Sequence, residues 1–246
     1  MLKLQDFETG PDSTTLTVAL SDDTGDAALS GVYLSGGSVV YRAANAFIGG
    51  YCVELSQAAG TPSPVGFQMS DTGATSFACR IYVRMTGYPS TDTSQFPIQL
   101  RSTTDAFVAR LVFTAAGMLR ITKTDGGNVV TGTVAATLNV WHRVEFWGSG
   151  LNGAAGTMSA ALYLGHSTTA IDTITGSNIT TAGVVDRIRY GRMANAGLTA
   201  WYFDGLAQNI GTATPIGPAA VGSDFVRRSG DWVAFDQQVR RSGAWL

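Results

Sequence analysis

The amino-acid sequence predicts an all-β chain in which two antiparallel sheets pack face to face as a sandwich, followed by a short hairpin-like appendage at the C-terminus. Three observations carry this. Apolar and polar side chains alternate through one segment after another, the period of a strand with one buried face. Gly-rich turn signals separate these segments, and no amphipathic helix lies between them to make the crossover that parallel neighbours need. Charged residues make up 14% of the chain against a typical value of about 25%. Thr, Ser, Asn and Gly therefore carry the polar surface, and they favour strands and turns over salt-bridged helix faces.

The clearest strand is residues 77–85, where Phe77, Cys79, Ile81, Val83 and Met85 share one face, while Arg80 and Arg84 on the other are expected to meet solvent or a subunit interface. Phe96, Ile98 and Leu100 repeat the pattern with Gln99 and Arg101 outward, and Met158, Ala160, Leu162 and Leu164 repeat it with Ser159 and Tyr163 opposite. Further strands are predicted at 39–43, 50–55, 106–114, 118–123, 141–147, 184–189 and 201–207. Ala116-Gly117, Asp125-Gly126-Gly127-Asn128, Gly148-Ser149-Gly150 and Asn195-Ala196-Gly197 mark turns between them. Since each strand has one wet face, two sheets must cover each other.

The alternation stops near Gly211, where Pro215, Gly217 and Pro218 read as a linker. The predicted division is a sandwich over 1–212, a linker over 213–222 and a repeated segment over 223–246. In that segment Val226–Val233 and Val239–Leu246 each hold a Val, an Arg pair, a Ser-Gly turn and a Trp. Arg227, Arg228, Trp232, Arg240, Arg241 and Trp245 are the expected docking or oligomerisation contacts, because Trp and Arg dominate binding energy at interfaces.

A net charge of −2, with no basic run longer than a pair, predicts no nucleic-acid partner. No apolar stretch approaches the roughly 18–20 residues of a spanning helix, so membrane insertion is not expected. The opening Met1-Leu2-Lys3-Leu4-Gln5-Asp6 lacks the apolar core of a signal peptide. A weakly charged surface suits a subunit of a larger assembly. Cys52 and Cys79 sit inside apolar runs without metal-ligand spacing; two buried thiols are favoured over a disulfide.

The search for catalytic chemistry leads to an expectation that the chain binds or builds rather than catalyses. Glycoside hydrolysis needs two carboxylates flanking the bond, yet Glu8, Glu54 and Glu145 are the only glutamates and no Glu-x-Asp-x-Glu arrangement occurs. His142 and His166 lack ligand-spaced partners, and there is no GxSxG elbow or Walker loop. Trp147, Tyr163 and Arg143 are the candidate ligand-binding residues. An aromatic face can stack on a sugar ring while nearby polar groups orient it, and strand parity points Trp147 and Tyr163 outward. Trp141 and Trp201 are assigned to the core.

The order of Asp6-Phe7-Glu8-Thr9-Gly10, Trp141-His142-Arg143-Val144-Glu145-Phe146, Met158–Leu164 and Trp201-Tyr202-Phe203-Asp204-Gly205 resembles a laminin-G or concanavalin A-like jelly roll covering most of 1–212. The VRRSGxW pair resembles tail repeats of bacteriophage minor tail proteins, especially from phages of actinobacteria. Lys3 and Lys123 are the only lysines among 16 basic residues, which agrees with a GC-rich genome. The resemblance implies a Ca²⁺ site, for which Glu8 and Asp204 are the candidates and Asp22, Asp23 and Asp26 a second acidic loop; the alternative is ordinary surface carboxylates. It also implies a virion location, assembly in the host cytoplasm, other virion proteins as partners, and a homo-oligomer of three or more copies. The expected function is a minor tail protein contacting host cell-wall glycans. The alternatives are a capsid decoration protein without a ligand and, last, a glycan-degrading enzyme.

Overall fold

The computed structural model describes residues 2–8, 10–21, 28–35, 37–57, 65–89, 97–123, 127–181, 183–192 and 200–219, and the backbone of 225–228 and 231–234. In chain order the strands are β1 (Leu2–Gln5), β2 (Gly31–Leu34), β3 (Gly37–Arg42), β4 (Cys52–Gln57), β5 (Val65–Ala74), β6 (Phe77–Met85), β7 (Ile98–Arg101), β8 (Phe107–Phe113) and β9 (Met118–Lys123). They continue with β10 (Asn128–Ala135), β11 (Trp141–Ser149), β12 (Gly156–Leu164), β13 (Ala170–Ile179), β14 (Val185–Arg192), β15 (Trp201–Ile210), β16 (Phe225–Arg228) and β17 (Asp231–Ala234). Among the described residues the helical content is one 3-10 turn, Ala19–Ser21.

Alternating burial turns these strands into the predicted sandwich. Sheet A runs β13-β12-β11-β6-β15-β4-β3 with β1 also beside β15, sheet B runs β10-β9-β8-β7-β14-β5-β2, and every pairing in both is antiparallel. Phe77, Cys79, Ile81, Val83 and Met85 of β6 all enter the core, as the alternation predicts. Aromatic rings fill the space between the sheets: Phe67 stacks on Tyr190 at 5.8 Å, and Trp201 meets Phe113 edge-on at 5.9 Å. Gly66 is required where β5 and β14 lie closest, because a Cβ there would stand 2.2 Å from the Tyr190 carbonyl oxygen.

Two features shape the edges and centre. At one edge the sheets are stitched by Asp172 of β13, whose carboxylate accepts the N–H groups of Thr133 and Val134 of β10 at 3.0 and 3.2 Å. In the centre, β15 pairs with β6 along its length but changes its other partner. Trp201–Phe203 faces β4 and Leu206–Asn209 faces β1, with a bulge between Asp204 and Ala207. Gly205 takes φ +51° there, a conformation that bulges commonly assign to glycine. The free cysteines Cys52 and Cys79 are both buried, and burial pushes both thiols up.

The first VRRSGxW copy forms the expected hairpin, β16 with β17, placing Val226 opposite Val233 and Arg227 opposite Trp232. The second copy, with Arg240, Arg241 and Trp245, lies outside the described residues, as do Phe96, the acidic loop of Asp22, Asp23 and Asp26 and the turn at Asn195-Ala196-Gly197.

Candidate functional site

The outer face of sheet A carries the side chains that the core rejects, and they gather at its middle. On β6 the alternation Arg80-Ile81-Tyr82-Val83-Arg84 sends Arg80, Tyr82 and Arg84 outward. The antiparallel register sets Arg80 opposite Glu145, Tyr82 opposite Arg143, and Arg143 opposite Tyr163 of β12. Arg143 Nε donates to Glu145 Oε1 at 2.7 Å, and its guanidinium lies 3.8 Å from the centre of the Tyr163 ring. Tyr82 Oη is 3.0 Å from Nδ1 of His166, which sits on the turn after β12 and stacks on Phe47 at 4.6 Å. Phe47 also packs on Tyr82 and Trp141, at 5.0 and 5.5 Å.

Residues 211–219 run across this cluster. Arg80 Nη1 donates to the Gly217 carbonyl at 2.9 Å, the Gly217 N–H donates to Glu145 Oε2 at 3.2 Å, and the Ala219 N–H donates to Tyr82 Oη at 3.0 Å. Arg80 Nε also donates to the Gly205 carbonyl at 3.1 Å. The expectation that Arg80 meets solvent or a subunit interface is therefore corrected: its parity is outward, but it is 4% exposed. Burial accordingly pulls its pKa down.

Tyr82 Oη accepts from the Ala219 N–H and shares one proton with His166 Nδ1, so the tautomer of the ring sets which of the two donates. Burial lowers the His166 pKa, and the cations Arg143 and Arg80 lower it further, so the ring is neutral at neutral pH. His166 Nε2 and Arg143 Nη1 are both buried with no hydrogen-bond partner. Two guanidiniums thus face one carboxylate, and the Arg143 Nη1 donor lacks an acceptor.

The two carboxylates put forward for calcium converge on one loop. Asp204 Oδ2 accepts the N–H groups of Phe47 and Ile48 at 2.8 and 2.9 Å, and Oδ1 accepts that of Gly205 at 2.7 Å. Glu8 accepts from Gly50 and Tyr51, at 2.8 Å and 3.1 Å for the nearest oxygens. These bonds pin the loop that presents Phe47 to the site. They turn N–H hydrogens toward the carboxylates, whereas a cation needs oxygens. Among the described residues no group of three or more His, Cys, Asp or Glu could hold a metal.

Burial pushes Asp204 up from its ordinary 3.8 to about 8, with a contribution from the Glu8 charge, and outweighs its three N–H bonds. A carboxyl with a raised pKa in the folded state contributes stability that is fully present below its unfolded pKa and is lost as pH rises through the folded value. Stability is thus expected to fall between pH 3.8 and about 8, and Asp204→Asn to flatten that fall. Urea titrations across this range check it. An unchanged slope in the variant would assign the dependence to another group.

Of the sequence-derived ligand residues, Arg143 and Tyr163 stack on each other, while Trp147 stands half-buried on the same face opposite Ala78 and Ser159. Four residues separate Trp147 from Arg143, roughly 13 Å along the strand. Trp201 is fully buried between the sheets as expected. Trp141 is not: it shares the parity of Arg143 and is half-buried on the outer face against Phe47. His142 points into the core instead, donating and accepting hydrogen bonds with Val140 and Thr137. Sequence reasoning missed Phe47, Tyr82 and His166. Tyr82 was legible between two outward arginines, but nothing local ties it to a histidine 84 residues away.

No family model matches the chain, and no curated protein matches it by sequence. Solved structures do resemble it in fold. The cellulose-induced protein Cip1 superposes with a TM-score of 0.60 at 14% identity, covering 88% of this chain and 99% of that one. An alginate lyase from Aplysia kurodai gives 0.55 at 9% identity, covering 70% and 87%. An endo-β-1,4-glucuronan lyase from the fungus Trichoderma reesei gives 0.54 at 12% identity, covering 73% and 90%. These lyases overturn the expectation that the chain is not an enzyme. That exclusion rested on missing hydrolytic carboxylates, and a lyase breaks its bond by elimination instead. At these identities the likeness is one of fold, the β-sandwich jelly roll that carbohydrate-active proteins also use.

Proposed function

We propose that the chain is a virion-borne protein that engages an acidic, uronate-bearing polysaccharide of the host surface on the outer face of sheet A and cleaves it by elimination. The observation that carries this is Tyr82 Oη at 3.0 Å from His166 Nδ1 beside the guanidiniums of Arg80 and Arg143. A cation next to the uronate carboxylate disperses the charge that develops when the proton α to it is removed. The Tyr82–His166 pair takes that proton, the electron pair left behind forms a C=C bond as the β C–O bond breaks, and the pair hands the proton to the departing oxygen. Tyr163 and Trp147 offer ring faces for neighbouring sugars. The alginate and glucuronan lyases among the fold neighbours agree with a polyuronate substrate. The virion setting, other virion proteins as partners and a homo-oligomer of three or more copies draw support from the VRRSGxW duplication, whose Arg and Trp residues suit a protein interface.

Incubation with alginate or glucuronan is expected to yield products with the ultraviolet absorbance of an unsaturated uronate. Tyr82→Phe is expected to lower the rate by roughly 10²–10⁴-fold while binding persists. Because burial and two arginines lower the His166 pKa, the acidic limb of the pH–rate profile is expected below the ordinary histidine value of 6.5. Neither binding nor product with any polyuronate would overturn the reading.

A further inference from the structure

We infer that residues 211–219 form an autoinhibitory strap, whose Gly217 peptide occupies the subsite that a sugar hydroxyl takes between Arg80 and Glu145 when the strap lifts. The inference rests on the function proposed above and adds its regulation. Gly217 accepts from Arg80 through its carbonyl and donates to Glu145 through its N–H, the same pair of roles that one hydroxyl group performs. Two residues on, the Ala219 N–H holds the Tyr82 oxygen that the proposed proton transfer uses. Tyr82 is fully buried, so a polysaccharide reaches it only after the cover moves.

The strap is built to be displaced. It pairs with no strand, Gly211, Thr214, Pro215 and Pro218 are exposed, and its remaining residues are only partly buried. Gly217 has φ +82° with nothing within 4 Å of where a Cβ would stand, so its identity answers to backbone shape rather than packing. Pro215 and Pro218 stiffen the chain on either side. At its start the Gly211 N–H donates to the Ser76 carbonyl at 2.9 Å, and over the site it is held by the three hydrogen bonds to Arg80, Glu145 and Tyr82, each of which a sugar chain can replace.

In the full-length chain, Gly217→Pro with Ala219→Pro removes both N–H donors and makes the observed φ at Gly217 unattainable, without touching the core. Two quantities are compared with the parent: nitration of Tyr82 by tetranitromethane, mapped on its peptide, and affinity for alginate and glucuronan oligosaccharides. Faster nitration together with at least about tenfold tighter binding is expected, since a closed strap lowers apparent affinity by the open fraction. Unchanged nitration overturns the inference. Equal affinity in both forms also overturns it but leaves the proposed function standing, whereas no binding by either form overturns both. An unchanged cooperative melt of the variant shows that the sandwich is intact.

Discussion

Arg143→Ala is expected to destabilise the sandwich by about 3–5 kcal/mol, because it leaves Glu145 charged and enclosed without its partner. Both residues are almost wholly buried, at 1% and 0% exposure, and the 2.7 Å contact between them is the ion pair least open to water among the described residues. Arg80 across the strand and the Gly217 N–H remain near Glu145 and soften the loss. The expected remedy is removal of both charges. Arg143→Leu with Glu145→Leu is expected to unfold at higher urea than Arg143→Leu alone, since desolvation of an ion pair offsets most of its attraction. A double variant no more stable than that single variant would show that Arg80 and the Gly217 N–H suffice for Glu145 and that an unpaired charge is not the source of the loss.

Ile81→Ala is expected to cost about 2–5 kcal/mol through lost transfer energy and the cavity left behind. Ile81 is fully buried and faces Val144 across the β6–β11 ladder. Arg80→Ala is expected to cost less. It removes two hydrogen bonds to the Gly205 and Gly217 carbonyls but also relieves a desolvated charge. Chemical denaturation of both variants decides the matter, and a greater loss for Arg80→Ala would show that the covered polar face outweighs the core at this point.

The sequence was readable where each strand kept a strict alternation. β6, β7, β9, β11 and β12 follow from the apolar period because one face meets the other sheet and the other does not. β1 and β2, four residues each, are too short to show a period, and β5, β10 and β13 were missed for the opposite reason. Bulges interrupt the pairing of all three, and β10 and β13 are outermost, so their apolar side chains do not keep step. Trp141 was misplaced although its parity matched Arg143, since bulk suggested core where the register dictated the outer face. The site itself was half legible. Arg143, Tyr163 and Trp147 follow from parity, but His166, Phe47 and the strap come from turns and loops distant in sequence, brought together by the order of strands in sheet A. Alternation says which face a residue takes and is silent on which loop covers it.

The positions of β14 and β15 bear on how the chain comes together as it is made. These are the last two strands of the sandwich in sequence, yet each lies in the interior of its sheet, β14 between β7 and β5, β15 between β6 and β4. Until β14 has emerged from the ribosome sheet B is two separate pieces, until β15 has emerged sheet A is two pieces and an unpaired β1, and β4, β5, β6 and β7 each present an unsatisfied row of backbone donors and acceptors. Long-range pairing of this kind closes slowly, and open edges invite association with other nascent chains. A polypeptide interrupted before β14 is therefore an assembly of halves, and β14 and β15 are what make it one body.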